Sequence, residues 1–246
     1  MSDLVGKRAL VTGASRGIGA GIALELAARG ADVAITYERS ADKAAAVVRA
    51  IEAKGRRGVA IQADSADPEA VKRSVAEAVA ALGGLDILVN NAGIARYGTV
   101  EEMSLADLDA LLNVNVRGVV LASSAAIPHL GEGASIITIG SCLAESVPFG
   151  GSTAYSMTKS ALLAFNRGLS RELGPRGITA NLVQPGPIDT DMNPADGENA
   201  EAIRGLTSLG RYGAPQDIAA AVAFLAGPGA RFVTGSVLTV DGGANA

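Results

Sequence analysis

The most constraining feature of this sequence is an alternation between short apolar runs rich in β-branched residues and longer Ala/Leu-rich segments with helical spacing. Such alternation predicts repeated strand–helix units, and these build a parallel sheet with helices on both faces. The predicted strands span about 8–12, 32–37, 58–63, 85–89, 135–139, 178–183 and 236–240. The predicted helices span about 20–29, 41–54, 68–82, 105–126, 153–173 and 215–226. We therefore expect an α/β fold with a single doubly wound parallel sheet.

Composition narrows the class of protein. The 246 residues suit one α/β domain over 1–246, and with 48% hydrophobic residues the chain can bury a large core and leave an apolar subunit interface. A net charge of −4, no basic block and no Trp argue against a nucleic-acid partner. One His and one Cys leave no disulfide and no usual metal cluster. Lacking a signal-peptide region and any run of about 18 apolar residues, the chain is expected to be cytoplasmic, with no membrane partner.

The first predicted strand leads into a glycine-rich turn, Gly13-Ala14-Ser15-Arg16-Gly17-Ile18-Gly19, and then into the first helix. Glycines let a ligand approach the backbone, and a helix N-terminus offers N–H groups to a pyrophosphate. The spacing differs from the common Gly-x-Gly-x-x-Gly pattern, and the alternative is merely a tight strand–helix connection. The position of the turn favours a dinucleotide site in a Rossmann-like fold.

A second feature lies between residues 141 and 159. Ser141 ends the fifth predicted strand, and Tyr155 and Lys159 are four residues apart on the next helix, so they share one face. A phenol titrates near ~10, and a nearby ammonium with a second positive charge, such as an oxidised nicotinamide, would lower that value. The three groups suit proton transfer beside a nicotinamide. The alternative is a surface Tyr and Lys beside a Ser that ends a strand.

These motifs occur together with Asn90-Asn91-Ala92-Gly93 and Pro185-Gly186. In this order and spacing the chain resembles the short-chain dehydrogenase/reductase family over nearly its whole length. The resemblance implies that Tyr155 is the general acid in reduction and that Ser141 hydrogen-bonds the carbonyl oxygen. It implies that Lys159 holds the ribose hydroxyls and favours the ionised phenol. Asn115 would carry a water that links Lys159 to solvent; the alternative is a helix-interior residue that bonds a backbone carbonyl.

The expected cofactor contacts follow from the resemblance and from the position of each residue after its strand. Asp64 would reach the adenine of the cofactor. Asn90 is not expected to contact the cofactor and would instead brace neighbouring strands. The expected cofactor-binding residues are Gly13, Ser15, Arg16, Gly17, Ile18, Gly19, Tyr37, Arg39, Ser40, Asp64, Ser65, Asn91, Ala92, Gly93, Val114, Tyr155, Lys159, Pro185, Gly186, Ile188 and Thr190.

The end of the second strand bears on the choice of cofactor. NAD enzymes place a carboxylate there for the ribose 2′-hydroxyl, whereas this chain has Tyr37. Arg16, helped by Arg39 and Ser40, would instead meet a 2′-phosphate. Glu38 is opposing evidence, because its carboxylate would repel that phosphate. We favour NADP(H) and leave NAD(H) open.

The substrate side is predicted to be mostly apolar. We expect it to be lined by Ala95, Leu143, Glu145, Pro148 and Pro187, and closed by a polar segment at 189–208 that resembles a lid. These features favour a reductase of small ketones. The alternatives are a 3-oxoacyl-[acyl-carrier-protein] reductase, against which residues 127–134 offer no Lys or Arg for docking, and a non-catalytic nicotinamide-nucleotide-binding protein. The family resemblance also implies a homotetramer.

Overall fold

A computed structural model describes residues 2–246, and its strands form one parallel sheet. The order across the sheet is β3-β2-β1-β4-β5-β6-β7, so the chain reverses direction of winding beside β1. This arrangement confirms the predicted fold class. The strands are β1 (Arg8–Val11), β2 (Asp32–Tyr37), β3 (Gly58–Gln62), β4 (Ile87–Asn90), β5 (Ser135–Ile139), β6 (Thr179–Pro185) and β7 (Val237–Val240).

The helices agree with the sequence expectation except in two places. The predicted helix 105–126 is divided by a π-helical segment, Asn113–Gly118, and a short helix not expected from the sequence lies within the 189–208 segment. The helices are α1 (Gly17–Ala28), α2 (Ala41–Glu52), α3 (Pro68–Leu82), α4 (Leu105–Leu112), α5 (Val119–Ala126), α6 (Thr153–Leu173), α7 (Ala200–Gly205) and α8 (Pro215–Ala226).

The core lies in two layers, one on each face of the sheet. Side chains alternate along a strand, so Val11 and Val89 enter the cluster with α1, α2 and α8, whereas Leu10 and Leu88 face α3, α5 and α6. Since both faces are covered, the central strands carry apolar side chains on both faces rather than alternating with exposed polar ones. The reactive side chains must therefore lie at the ends of the strands.

The reversal of winding occurs between β1 and β4, which are hydrogen-bonded neighbours. In open α/β sheets a ligand binds in the crevice at the carboxyl edge beside such a point. The loops that leave this edge are the glycine-rich turn after β1, Asn91–Gly93 after β4 and Ser141 after β5. The fold thus gathers the sequence motifs at one edge.

The opposite edge of the same strands is held by an ion pair. Asp86, just before β4, accepts hydrogen bonds from the backbone N–H of Arg8 at 3.0 Å and from its Nε at 2.7 Å. Partial burial acts to raise the pKa of Asp86, but the hydrogen bonds from Arg8 outweigh it and the pKa is lowered. The contact stabilises the pairing of β1 with β4 at its amino-terminal end.

By length and composition alone, one helical stretch, Leu105–His129, could cross a membrane, with a mean hydropathy of 1.5. No such run was expected from the sequence, because charged and polar residues interrupt this stretch. This stretch contains the fully buried Asn115, and its α5 part packs against α3. Core helices of water-soluble proteins share this length and composition.

Candidate active site

The turn between β1 and α1 has the backbone that a phosphate site requires. Gly13 and Gly17 have φ values of 62° and 55°, which side chains of L-residues rarely adopt. Helix α1 begins at Gly17, and its N-cap residue, Arg16, makes no side-chain capping hydrogen bond. The first N–H groups of α1 are therefore free to meet an anion, and the dipole of the helix favours one.

Asn91 fastens this turn to the end of β4. Its Nδ2 donates to the carbonyl oxygens of Thr12 at 2.8 Å and Gly13 at 3.1 Å. A Cβ added to Gly19 would lie 2.8 Å from the Cα of Ala14 and would collide with Nδ2 of Asn91. The amide of Asn91 thus holds the turn in shape, which adds a structural task to the ribose contact expected from the sequence.

Asn90, one residue earlier, braces its neighbours as expected. Its Nδ2 donates to Ser123 Oγ at 2.9 Å and lies 3.4 Å from Thr138 Oγ1. These bonds join β4 to β5 and to α5, which keeps the adjoining loops in register.

The carboxyl end of β5 brings Ser141 to the site. Ser141 is 8% exposed, and its Oγ accepts a hydrogen bond from the backbone N–H of Leu143 at 3.1 Å. A hydroxyl that accepts in this way keeps its proton free to donate. Ser141 also acts on the phenol of Tyr155, half-buried on α6, where hydrogen bonding from this hydroxyl works to lower the pKa of the phenol.

Lys159 lies one helical turn beyond Tyr155 and is buried. Its Nζ is 5.9 Å from the centroid of the Tyr155 ring and donates to the carbonyl oxygen of Ile139 at 3.1 Å. A Cβ added to Gly93 would lie 3.4 Å from this Nζ, so the absence of a side chain there opens a path to the ammonium. Burial lowers the pKa of Lys159 to about 8.

The phenol of Tyr155 responds to burial in the opposite direction. Burial raises its pKa above the ordinary value, and the hydrogen bond with Ser141 offsets only part of that change. The sequence predicted that Lys159 would lower this pKa. The protein groups by themselves leave the phenol protonated, because both groups are removed from water. A neutral phenol is the form that can donate a proton.

Asn115 is fully buried in the π-helical segment. Its Oδ1 accepts from the N–H of Ile94, and its Nδ2 donates to the carbonyl oxygen of Ile94 at 2.9 Å and to Thr158 Oγ1 at 3.1 Å. These are the backbone bonds that the structural alternative predicted. They anchor the loop after β4 to α6, close to Gly93 and Lys159.

The adenosine end of the crevice carries several charges. Tyr37 ends β2 and is half-buried, while Arg39 is exposed and pairs with Glu38 at 2.7 Å. The carboxylate of Glu38, which had counted against a phosphate, is thus balanced by its neighbour. Arg16 lies 3.5 Å from Asp191, and Lys43 lies 2.9 Å from the same carboxylate oxygen. Sequence reasoning missed Lys43 and Asp191, because only the fold brings them to Arg16.

The remaining expected cofactor residues lie at the same edge. Ser65, Ala92 and Val114 line a cavity beside Thr12. Asp64 is exposed and caps its own turn through the N–H of Ala66, whereas Asp67 caps α3. The other expected members also follow the ends of strands here. They are Ser15 and Ile18 in the glycine-rich turn, Ser40 at the start of α2, and Pro185, Gly186, Ile188 and Thr190 after β6.

The expected substrate side is divided by exposure. Ala95, Leu143 and Pro187 are half-buried, whereas Glu145 and Pro148 are exposed. Sequence reasoning missed Tyr97, whose ring centroid lies 6.1 Å from that of Tyr155. The only available signal was the scarcity of aromatic residues in the chain, which makes each one informative.

Sequence reasoning also missed Asn245, near the end of the chain. Its Nδ2 donates to the carbonyl oxygen of Cys142 at 2.7 Å, so the C-terminal residues support the loop after β5. Among residues 2–246, no group of three or more His, Cys, Asp or Glu side chains could hold a metal ion.

These features fit a dinucleotide. The positive-φ glycines, the uncapped start of α1 and the bare backbone at Gly93 make a cradle that side chains would fill. Cations lie at one end of it, and a hydroxyl, a phenol and a buried ammonium lie at the other.

Comparison with known proteins agrees with this geometry. Residues 13–245 match the family described as "Enoyl-(Acyl carrier protein) reductase". The chain belongs to the short-chain dehydrogenase/reductase family. A short-chain dehydrogenase from Burkholderia cenocepacia J2315, solved in complex with NADP, is 60% identical with a TM-score of 0.98, and the match covers 99% of this chain and 100% of that one.

Two curated relatives from this family carry different names. The cyclic-di-GMP-binding biofilm dispersal mediator protein of Escherichia coli is 43% identical, and the match covers 98% of both chains. The 3-oxoacyl-[acyl-carrier-protein] reductase of Staphylococcus aureus is 42% identical, and the match covers 96% of this chain and 97% of the other. Membership of the family therefore leaves the substrate open.

Proposed function

We propose that this protein is an NADP(H)-dependent oxidoreductase that interconverts small ketones and secondary alcohols. The observation that carries the proposal is the meeting of Ser141, Tyr155 and the buried Lys159 at the sheet edge that holds the glycine-rich turn. The NADP bound to the Burkholderia relative supports the choice of cofactor, as does the cluster of cations at Arg16.

In reduction, Tyr155 donates its proton to the carbonyl oxygen of the substrate as the oxygen gains negative charge. Its raised pKa keeps that proton in place at neutral pH until the transfer occurs. Ser141 donates a second hydrogen bond to the same oxygen, since the bond that its Oγ accepts from the N–H of Leu143 leaves its own proton free. When bound, NADPH supplies the hydride.

Lys159 has two tasks in this proposal. Its ammonium binds the ribose hydroxyls through the opening at Gly93, and its charge stabilises the phenolate that remains after proton transfer. We further propose that Asn115 positions a water that returns a proton to Lys159. Both side-chain N–H groups of Asn115 are engaged, so such a water would bind an oxygen acceptor of this residue.

The substrate side favours a compact apolar ketone, since Ala95, Leu143 and Pro187 offer no charge. The runner-up is a 3-oxoacyl-[acyl-carrier-protein] reductase, which the Staphylococcus relative supports. Carrier docking would need basic residues near the site. Arg176 lies just before β6, at the edge of the sheet opposite the site, and donates to the carbonyl oxygens of Ile127 and Leu130. Comparing turnover of a free ketoester with the same acyl group on the carrier separates the two.

The experiment that tests the proposal follows NADPH absorbance over a panel of ketones. Tyr155→Phe should lower kcat by about 10²- to 10⁴-fold, the usual contribution of a positioned acid, with NADPH affinity nearly unchanged. If NADPH binds but no carbonyl compound oxidises it, the non-catalytic nucleotide-binding alternative stands instead.

We also propose that the chain acts as a single domain, in the cytoplasm, as a homotetramer. Exposed apolar side chains on α4 and α5, among them Leu105, Leu112 and Val120, support the assembly. Light scattering should then give about four times the chain mass of 24.6 kDa. A mass of one chain would contradict it.

A further inference from the structure

Three side chains from distant segments meet at one carboxylate oxygen beside the glycine-rich turn. Oδ2 of Asp191 lies 2.9 Å from Nζ of Lys43 and 3.5 Å from Nη1 of Arg16. Arg16 belongs to the turn, Lys43 to the first turn of α2, and Asp191 to the 189–208 segment. All three side chains are more than half exposed, so solvent and ligands reach them.

This arrangement has the form of an anion site filled by the protein's own carboxylate. Two cations that converge on one oxygen suit a phosphate, which has more negative charge and more acceptor oxygens than a carboxylate. The N-terminus of α2 adds to the attraction for an anion, because the N-cap residue Ser40 makes no side-chain hydrogen bond to the first N–H groups of the helix. Arg39 contributes little, since its guanidinium is paired with Glu38.

The same carboxylate joins the 189–208 segment to the cofactor side. Thr190, its neighbour, lies against Gly17: a Cβ added to Gly17 would be 3.4 Å from the methyl group of Thr190. The hydrogen bond from Lys43 holds the pKa of Asp191 below its ordinary value, so this carboxylate is charged at neutral pH. Asp191 therefore holds the 189–208 segment to Lys43 and Arg16, the same cations that an incoming anion would bind.

We infer that Lys43 and Arg16 together bind the 2′-phosphate of NADP(H), and that Asp191 is an internal counter-ion which this phosphate displaces. The inference rests on the proposed cofactor and adds two residues to it. Lys43 favours NADP(H) over NAD(H). Asp191 weakens that preference, because its carboxylate occupies the same two cations until the phosphate displaces it.

The test uses two probes that differ only in the phosphate, adenosine 2′,5′-bisphosphate and adenosine 5′-monophosphate, with affinities measured by titration calorimetry. Lys43→Gln should weaken the bisphosphate about tenfold, as expected for one charge-assisted hydrogen bond, and leave the monophosphate unchanged. Asp191→Asn should strengthen the bisphosphate, roughly threefold to tenfold on the same basis, again without effect on the monophosphate.

A matched control is Lys72→Gln. Lys72 is an exposed lysine paired with Glu69 at 3.0 Å on α3, and it should change neither affinity. Equal effects of Lys43→Gln on both probes, or an unchanged or weaker bisphosphate affinity in Asp191→Asn, would overturn the inference. Because the readout is binding without a substrate, it is independent of whether the protein reduces ketones. Failure of the proposed reaction would show separately, as no turnover with every ketone.

Discussion

The rings of Tyr97 and Tyr155 lie with their centroids 6.1 Å apart and their planes tilted by 51°. This is within the range of a favourable aromatic pair. Tyr155 comes from α6 and Tyr97 from the loop after β4, so the pair joins two walls of the crevice. Tyr97 is 63% exposed, and its ring offers a flat apolar surface next to the phenol of Tyr155, which donates the proton.

Tyr97→Ala should lower kcat/KM for aryl ketones about threefold to tenfold more than for alkyl ketones of similar size, since one aromatic contact contributes about 0.5–1.5 kcal/mol. Tyr97→Phe keeps the ring and should retain the preference. The measurement is kcat/KM over a matched series of aryl and alkyl methyl ketones. An equal loss for both classes would mean that Tyr97 supports Tyr155 rather than the substrate.

Lys159→Met should make the protein more stable at neutral pH while removing activity. Burial lowers the pKa of Lys159 to about 8 in the folded state, from 10.5. The unfolded chain thus binds more protons between these values, and wild-type stability from this group rises with pH across that window. We expect a gain of about 1–3 kcal/mol at pH 7, because one pKa unit corresponds to about 1.4 kcal/mol and the bond to Ile139 is lost.

Thermal unfolding of Lys159→Met and wild type from pH 7 to 10.5 checks this expectation. The difference in free energy of unfolding should shrink as pH rises through about 8 and beyond. A constant difference would show that the amine does not titrate in this range.

Gly19→Ala should damage both the fold and the cofactor site. The added Cβ would lie 2.8 Å from the Cα of Ala14 and would collide with the amide of Asn91, so we expect a loss of about 1–3 kcal/mol from overpacking. Gly168→Ala is the matched control: it also lies in a helix, but its Cβ would meet nothing within 4 Å. That variant should be more stable by about 0.5–1 kcal/mol. Denaturant unfolding and NADPH titration separate the two effects, and a Gly19→Ala protein that binds normally would rule out the close approach.

Asp86→Asn should lower stability at pH 7 by about 1–3 kcal/mol, the usual value of a charge-assisted bond. The folded-state pKa of Asp86 is below its ordinary 3.8, so its contribution is present above that pH and is lost as pH falls through the folded value. The variant should therefore approach wild type in urea titrations below about pH 4. Asp109→Asn, at an exposed carboxylate, should show no such convergence.

Most helices and strands could be predicted from local sequence, because the residues at their ends favour starting or ending the element. Helix α3 begins and ends as predicted, since Asp67 caps its first turn, Pro68 occupies its first position and Gly83 takes a left-handed conformation after it. Tyr155 and Lys159 were found for a similar reason: their spacing of four residues places them on one helix face whatever the rest of the chain does.

The features that were missed depend on contacts between distant segments. The π-helical segment inside the expected helix 105–126 accompanies the bonds of Asn115 to Ile94, which the helical pattern does not encode. The meeting of Lys43 with Asp191 joins residues 148 positions apart. The direction in which the pKa of Tyr155 shifts depends on how deeply Lys159 and the phenol are buried. The spacing of the two residues along the helix does not indicate that depth.

The ion pair between Arg8 and Asp86 lies at the amino-terminal edge of the sheet, at the opposite end of the strands from Ser141, Tyr155 and Lys159. Changes in the loops at the carboxyl edge of the sheet leave this ion pair intact. Homologues can therefore differ in the substrates they accept while they keep the same fold. This separation of the two edges suits a family whose members carry names as different as those of the relatives described above.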